Sequence, residues 1–240
     1  MFLYYFRHGD PIYVPDSLTE LGHEQAKALV KRTSYKGLDK IFSSPSIRAQ
    51  MTAEPTCKEL GLEKIIVDWA NEGTAWQEFS VTNSEGKGCW IWQSGLHRDM
   101  LNHPEVRKLD TKWYEHSLFE EYREKFESGT KRINAAVDNF MLELGFEHDR
   151  ENGCYKVVRP NSERIGLFAH EGAGKLIMSS LLDLPYPLVS TRLEFGHSSM
   201  TVIWFDETKE KIYPRVLHWS NDSHLFATGV STKYWNVLDV

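Results

Sequence analysis

Apolar positions along the chain fall into alternating short runs and helical stripes. Phe2-Leu3-Tyr4-Tyr5-Phe6 is continuous and aromatic-rich, as a buried strand is, and it halts at Arg7-His8-Gly9. Ser17-Leu18-Thr19-Glu20 has the Ser-x-x-Glu form of a capping box, and Leu21, Ala26, Ala28 and Leu29 then give one apolar face to a helix running to about Arg32. Lys36-Gly37 breaks it. Asp39 to Ser43 predicts a second strand, Arg48, Ala49, Thr52 and Ala53 mark a helix to about Leu60, and Lys64 to Val67 predict a third strand ending near Glu72. Strands alternating with helices in this way are the pattern of a parallel sheet with helical cover.

From Gly73 to about Thr111 the rhythm lapses. This stretch holds Trp76, Trp90 and Trp92 among glycines and polar residues and has no clean period, which predicts an insertion folding over one end of the sheet. Trp113 to Leu144 is mostly helical by the spacing of Phe119, Tyr122, Phe126, Ile133, Val137, Phe140 and Leu144, with a break expected at Ser128-Gly129. Phe146 to Val158 predicts a hairpin turning at Glu151-Asn152-Gly153. Arg164 to Ala169 predicts a strand and Lys175 to Leu182 a helix, while Thr201–Phe205 and Lys211–Leu217 predict a hairpin around Asp206 to Glu210. The expected whole is a three-layer α/β/α sandwich on a mostly parallel sheet. It forms one domain over residues 1–240 with a cap inserted at about 73–130.

Composition narrows the function classes. An apolar fraction of 41% with 12% aromatics fills a core, so disorder is excluded as a description of the whole chain. The net charge of −6 argues against nucleic-acid binding, which needs a basic face, but not against a small phosphorylated substrate, which needs only a local cluster of cations. Cys57, Cys89 and Cys154 are far apart and in no metal-ligand spacing, which fits a reducing cytosol. The apolar start is too short for a signal peptide, and no run approaches a membrane span. The expectation is a cytoplasmic protein with no membrane partner, no metal and no cofactor.

Candidate chemistry sits where the predicted strands stop. Ligand sites in open α/β sheets form beyond the carboxyl ends of strands, and those ends carry Arg7-His8-Gly9, Arg48 one turn into its helix, and His170. Arg7 offers a planar fork of donors, Gly9 permits close backbone approach, and His8 has a lone pair near neutral pH. His170-Glu171-Gly172-Ala173-Gly174 reads as a strand-to-helix junction whose free N–H groups suit an anion. If the sheet gathers these residues, two guanidiniums and two imidazoles meet in one volume, and a phosphoryl group is the natural occupant. His197, after Phe195-Gly196, is expected to border the pocket or serve structure.

Arg7-His8-Gly9, then Leu18-Thr19-Glu20-Leu21-Gly22 with Gln25-Ala26, resembles the histidine phosphatase (phosphoglycerate mutase-like) superfamily. Ser43-Ser44-Pro45 with Arg48-Ala49 and Thr52-Ala53 looks like its second motif, His170 with Gly172 like its third, and Asn221 to Leu225 like its closing segment. The resemblance implies a metal-independent phosphate-monoester hydrolase in which His8 becomes a phosphohistidine while Arg7, Arg48 and His170 hold the phosphoryl oxygens. It also implies a general acid after the third strand, where Glu72 stands, with Glu171 and Asp10 as rivals. Two departures matter. Asp10-Pro11-Ile12 replaces the usual Glu-Thr and phosphate-binding Asn, and Gly73-Thr74-Ala75-Trp76 follows Glu72 where the glycolytic mutases have Arg-His-Tyr. The second favours hydrolysis. A phosphoglycerate mutase-type phosphotransferase and a catalytically silent phospho-ligand-binding module are the alternatives.

Overall fold

The computed structural model describes residues 1–234, 238 and 239. At its centre a six-stranded sheet is formed by β1 (Phe2–Arg7), β2 (Lys40–Ser43), β3 (Lys64–Ile66), β4 (Arg164–Ala169), β5 (Met200–Trp204) and β6 (Arg215–Asn221), in the spatial order β6-β5-β1-β4-β2-β3. The run β1-β4-β2-β3 is parallel, and β5 and β6 add antiparallel at the other side of β1.

Period-two alternation divides the apolar side chains between the two faces. Leu3 and Tyr5 of β1 join Ile165 and Leu167 of β4 in the larger core, while Phe6 joins Ile41 and Phe168 in the smaller one. The smaller core is closed by Leu29 of α1 (Glu20–Ser34) and by Ala53 and Cys57 of α2 (Ile47–Leu60). The larger one takes Ile133, Val137 and Phe140 of α4 (Arg123–Glu143) and Leu176 and Ile177 of α5 (Glu171–Leu182). Helices thus cover both faces, giving the three layers. Phe6 and Phe168 stack across neighbouring strands with centroids 4.4 Å apart. Burying each such ring contributes about 1.5–3 kcal/mol.

The segment without sequence period folds as many small pieces. It holds α3 (Glu72–Phe79), a hairpin of Ser80–Thr82 with Gly88–Trp90 and helices Gly95–Leu101 and Pro104–Lys108; two 3₁₀ stretches, Asp110–Glu115 and Ser117–Tyr122, continue the pattern into residues whose spacing predicts a helix, so α4 starts only at Arg123. Elements of this length are too short to print a period. Their apolar residues Val81, Ile91, Leu101, Trp113 and Phe119 join the same cluster as Leu3 and Ile165.

Four local expectations change. Thr19, not Ser17, caps α1: its backbone is extended, its Oγ1 accepts from Gly22 N at 3.0 Å, and it donates to Asp10 Oδ2 at 2.7 Å. Ser17-Leu18 instead pairs with Pro11-Ile12. Second, α4 runs unbroken through Ser128-Gly129. Gly129 is there for contact, since a Cβ on it would lie 2.6 Å from Phe79 Cε2. Third, Lys211 to Leu217 is not one strand. Lys211-Ile212 pairs with Cys154–Val157 of the 146–157 hairpin, whereas β6 starts at Arg215 and pairs with β5. Pro214, without an N–H, separates the two. Fourth, Tyr186–Arg192, a stretch without a sequence signal for an element, folds as a short helix.

A polar clamp ties three elements together. His148 Nδ1 lies 2.9 Å from Asp138 Oδ1 of α4, and its Nε2 lies 2.8 Å from Asp183 Oδ2, the left-handed residue ending α5. Arg150 also reaches Asp138 Oδ1, at 2.7 Å. Among the described residues no helix is long and apolar enough to cross a membrane.

Candidate active site

Register alone brings the strand ends together. Arg7 of β1 lies opposite Ala169 of β4, and Phe168 lies opposite Ser43 of β2. The next residue on each strand is therefore His8, His170 and Ser44, all at one edge. Backbone bonds extend the ladder by that step: His8 N donates to Ala169 O at 3.0 Å and Ser44 N to Phe168 O at 2.9 Å.

His8 is 3% exposed, and its Nδ1 lies 2.7 Å from Gly9 O. A carbonyl only accepts, so Nδ1 carries the proton and Nε2 of the neutral ring keeps its lone pair. Neutrality is enforced: burial first, then His170, Arg7 and Arg48, push the imidazole well below its ordinary value. A neutral imidazole beside two cations suits attack on an anionic electrophile.

Arg7 donates to Phe195 O at 2.5 Å and pairs with Glu171 Oε2 at 3.0 Å. Arg48 pairs with Asp16 Oδ1 at 2.8 Å, and its Nη2 lies 3.2 Å from His170 Nδ1. Both guanidiniums are buried and under-satisfied, since neither Nε–H finds an acceptor among the described residues. His170 is fixed from several directions. Its Nε2 is 2.7 Å from Ser44 Oγ, its N donates to Tyr5 Oη at 3.1 Å, and Tyr5 Oη donates to its carbonyl at 2.5 Å. Burial, Arg48 and Arg7 hold this imidazole too well below its ordinary value.

The three candidate acids part company here. Glu72, first residue of α3, brings Oε2 to 3.2 Å from His170 Nδ1 while Oε1 accepts from Gly172 N at 3.0 Å. Gly172 allows this approach, because a Cβ on it would lie 2.4 Å from Glu72 Oε1. Glu171 sits between Arg7 and Lys175, whose Nζ is 3.0 Å from Oε1. Burial opposes its ionisation, but Arg7, a hydrogen bond with Glu194 and Lys175 together prevail and hold the carboxyl down at about 2. Lys175 also meets Glu194 Oε2 at 3.0 Å. Burial and the neighbouring Glu171 push Glu194 up to about 7. Asp10 is turned away: Thr19 donates to it, and His197 Nδ1 lies 3.3 Å from its Oδ1.

A cavity of about 540 Å³ opens at this edge, lined by Arg7, His8, Arg48, Glu72, Glu171 and Gly172 together with Tyr13, Trp76, Trp90 and Trp92. Gly9, His170 and His197 are not in its lining; His170 lies fully buried behind it. The Gly9 N–H donates to Thr52 Oγ1 at 2.9 Å, and the missing side chain makes room for Gly22 O, which a Cβ would meet at 2.7 Å. His197, fully buried, stacks on the His8 ring with centroids 5.8 Å apart. Among the described residues no group of three His, Cys, Asp or Glu side chains is placed to hold a metal ion.

Sequence reasoning missed Asp16, Tyr13, Lys175 and Glu194. Lys175 left one signal, its i,i+4 spacing from Glu171. The others are brought in by long-range contacts and left none. Tryptophans of the insertion can line a pocket for an organic group or pack in the core, and these do both: Trp76, Trp90 and Trp92 line the cavity, while Trp90 and Trp92 belong to the larger core.

A histidine at the carboxyl edge of a parallel sheet, faced by two buried arginines, is a constellation whose charge suits an anion. The chain belongs to the histidine phosphatase superfamily (branch 1), whose family model matches residues 5–221. No curated protein matches it in sequence. Among solved structures it is similar to a phosphoserine phosphatase mutant from Entamoeba histolytica in complex with phosphoserine, at 16% identity and TM-score 0.57, over 93% of this chain and 98% of that one. It is likewise similar to alpha-ribazole phosphatase from Shigella flexneri, at 17% identity and TM-score 0.57, over 92% and 97% of the two chains. A mycobacterial glucosyl-3-phosphoglycerate phosphatase in complex with inorganic phosphate gives 19% identity and TM-score 0.56, over 93% and 98%. At these identities the likeness is one of fold.

Proposed function

We propose that the protein is a metal-independent phosphate-monoester hydrolase working through a phosphohistidine at His8. The observation that carries this reading is the tautomer of His8: its Nδ1–H bond to Gly9 O leaves the Nε2 lone pair at the edge where Arg7 and Arg48 converge. The phosphoryl oxygens supply the acceptors that the two guanidiniums lack.

In the first step His8 Nε2 forms a bond to phosphorus as the ester P–O bond breaks in line. Arg7, Arg48 and His170 hold the non-bridging oxygens and stabilise their charge. Glu72, as the carboxylic acid, gives its proton to the departing oxygen, and the alcohol leaves. In the second step water attacks phosphorus, the Glu72 carboxylate takes its proton, the N–P bond breaks, and inorganic phosphate leaves with His8 restored. Glu171 is the weaker candidate for this proton because Arg7 and Lys175 keep it ionised. Its role is to orient Arg7, while His197 and Gly9 position the His8 ring and loop from behind. Residues 73–130 act as a cap within a single domain, admitting one class of alcohol to this end of the sheet.

The test is hydrolysis of 4-nitrophenyl phosphate in excess chelator, wild type against His8→Ala. Turnover should survive chelation and fall by about 10⁴-fold or more in the variant, with an acid-labile phosphoenzyme seen only in wild type. Undiminished turnover in the variant would remove His8 as nucleophile. Phosphoryl transfer between positions of phosphoglycerate, with no hydrolysis, would instead make the protein a mutase.

A further inference from the structure

The cavity has two chemically different ends. Beyond the phosphoryl end its wall is aromatic: Trp76 meets Trp90 edge-on at 5.2 Å, and Trp90 stacks on Trp92 at 4.6 Å with 21° between planes. Trp90 and Trp92 are already covered, at 9% and 3% exposure, whereas Trp76 keeps 36%. Trp90 is pinned from behind, because a Cβ on Gly172 would stand 2.3 Å from its Cζ2. The wall is therefore a fixed aromatic corner with one face left open by Trp76.

Charge makes the second constraint. The cations lining the cavity, Arg7 and Arg48, each already have a carboxylate, Glu171 and Asp16, and a phosphate would occupy their remaining donors. The other ionisable side chains on the wall besides His8 and Tyr13 are the carboxyls of Glu72 and Glu171. Lys175 does not change this: it lies 4.6 Å from the Trp92 ring centroid, fully buried between Glu171 and Glu194. A second anionic group on the substrate would meet aromatic faces and carboxylates without a cation to balance it.

We infer that the leaving group accepted here is a flat ring without negative charge, so that aryl and arylmethyl phosphate monoesters are preferred over open-chain or carboxylated ones. Ring stacking against the open face of Trp76 supplies the preference. The inference rests on the reading of the site as a phosphatase only for the placement of the phosphoryl group.

Binding and turnover test it separately. Benzyl, n-butyl and 4-carboxybenzyl phosphate are titrated calorimetrically into His8→Ala, which forms no phosphohistidine, and kcat/KM is measured for wild type. Benzyl and butyl phosphate both release a primary alcohol, so leaving-group acidity is nearly matched. Benzyl phosphate should bind about tenfold more tightly than either competitor, the gain expected of one well-placed stacking contact. Trp76→Ala should bring the benzyl-to-butyl ratio close to one, and Trp76→Phe should keep most of it. Equal affinities, tighter binding of the carboxylated ester, a preference that survives Trp76→Ala, or no measurable binding of benzyl phosphate would each overturn the inference. Ring-selective binding without wild-type turnover would sustain it and defeat the hydrolase reading. Turnover without ring selectivity would do the reverse.

Discussion

The proton inventory of the site turns on single partners. Three carboxyls lie near His8 in space or sequence, and what distinguishes them is what each already holds: two cations for Glu171, Thr19 and His197 for Asp10, the Gly172 N–H and the His170 ring for Glu72. Glu72→Gln should therefore lower kcat by about 10²–10⁴-fold on alkyl phosphates. The loss should shrink as the leaving alcohol becomes more acidic, which a series of substituted phenyl phosphates would read as a steeper dependence on leaving-group basicity. An equal loss across the series would mean that Glu72 binds and does not donate. Arg7 and His8 were legible because they adjoin a strand whose hydrophobicity announces it. The choice among Glu72, Glu171 and Asp10 was not, because it depends on residues a hundred or more positions away that only the fold brings near.

The same division holds for elements. Apolar runs of four to six residues declared the strands and apolar stripes of fourteen to fifteen residues the helices, so β1, α1, β2, α2 and β4 fall where expected, give or take a residue or two. The capping residue of α1 was misread by two positions because Ser17 and Thr19 both carry a suitable hydroxyl, and the contact with Asp10 decides between them. Gly129 was misread for a different reason. A glycine in a helix costs about 1 kcal/mol relative to alanine, so a break is the local expectation. Here tertiary contact overrides propensity. Gly129→Ala should destabilise the protein by about 1–3 kcal/mol in spite of its better propensity, since the added methyl collides with Phe79 and with Glu78 Cβ, 2.8 Å away. Thermal unfolding would show this as a lower Tm. A raised Tm would mean that α3 yields to α4 without penalty.

For the whole molecule, stability responds to pH near neutrality through His148 and not through the histidines at the sheet edge. Burial disfavours the charged form of His148, as does Arg150, but hydrogen bonds to Asp138 and Asp183 outweigh both and raise its titration above the ordinary 6.5. Tyr155, stacked on it at 4.0 Å, completes its surroundings. A raised folded-state value means that the clamp contributes fully below about pH 6.5 and that its contribution fades as pH climbs through the folded value. The unfolding free energy of wild type should exceed that of His148→Gln by about 1–3 kcal/mol near pH 6, and the gap should narrow by pH 8. Urea titrations at several pH values measure it, and a gap that widens with pH would show the clamp to work with a neutral ring. His8 and His170 shift the opposite way and stay neutral over the same interval.

The cavity's two ends descend from different stretches of chain. One part of its wall is assembled from Arg7, His8 and Arg48, on the rim of the sheet and a helix beside it, while its aromatic corner comes from Trp76, Trp90 and Trp92 within fewer than twenty consecutive residues. Reactivity and taste are thus written in separate paragraphs of the gene. A library randomised only across that short tract would reshape the aromatic corner without rewriting Arg7, His8 or Arg48, so if the proposed hydrolysis holds, selectivity can drift locally while the reacting groups stay fixed.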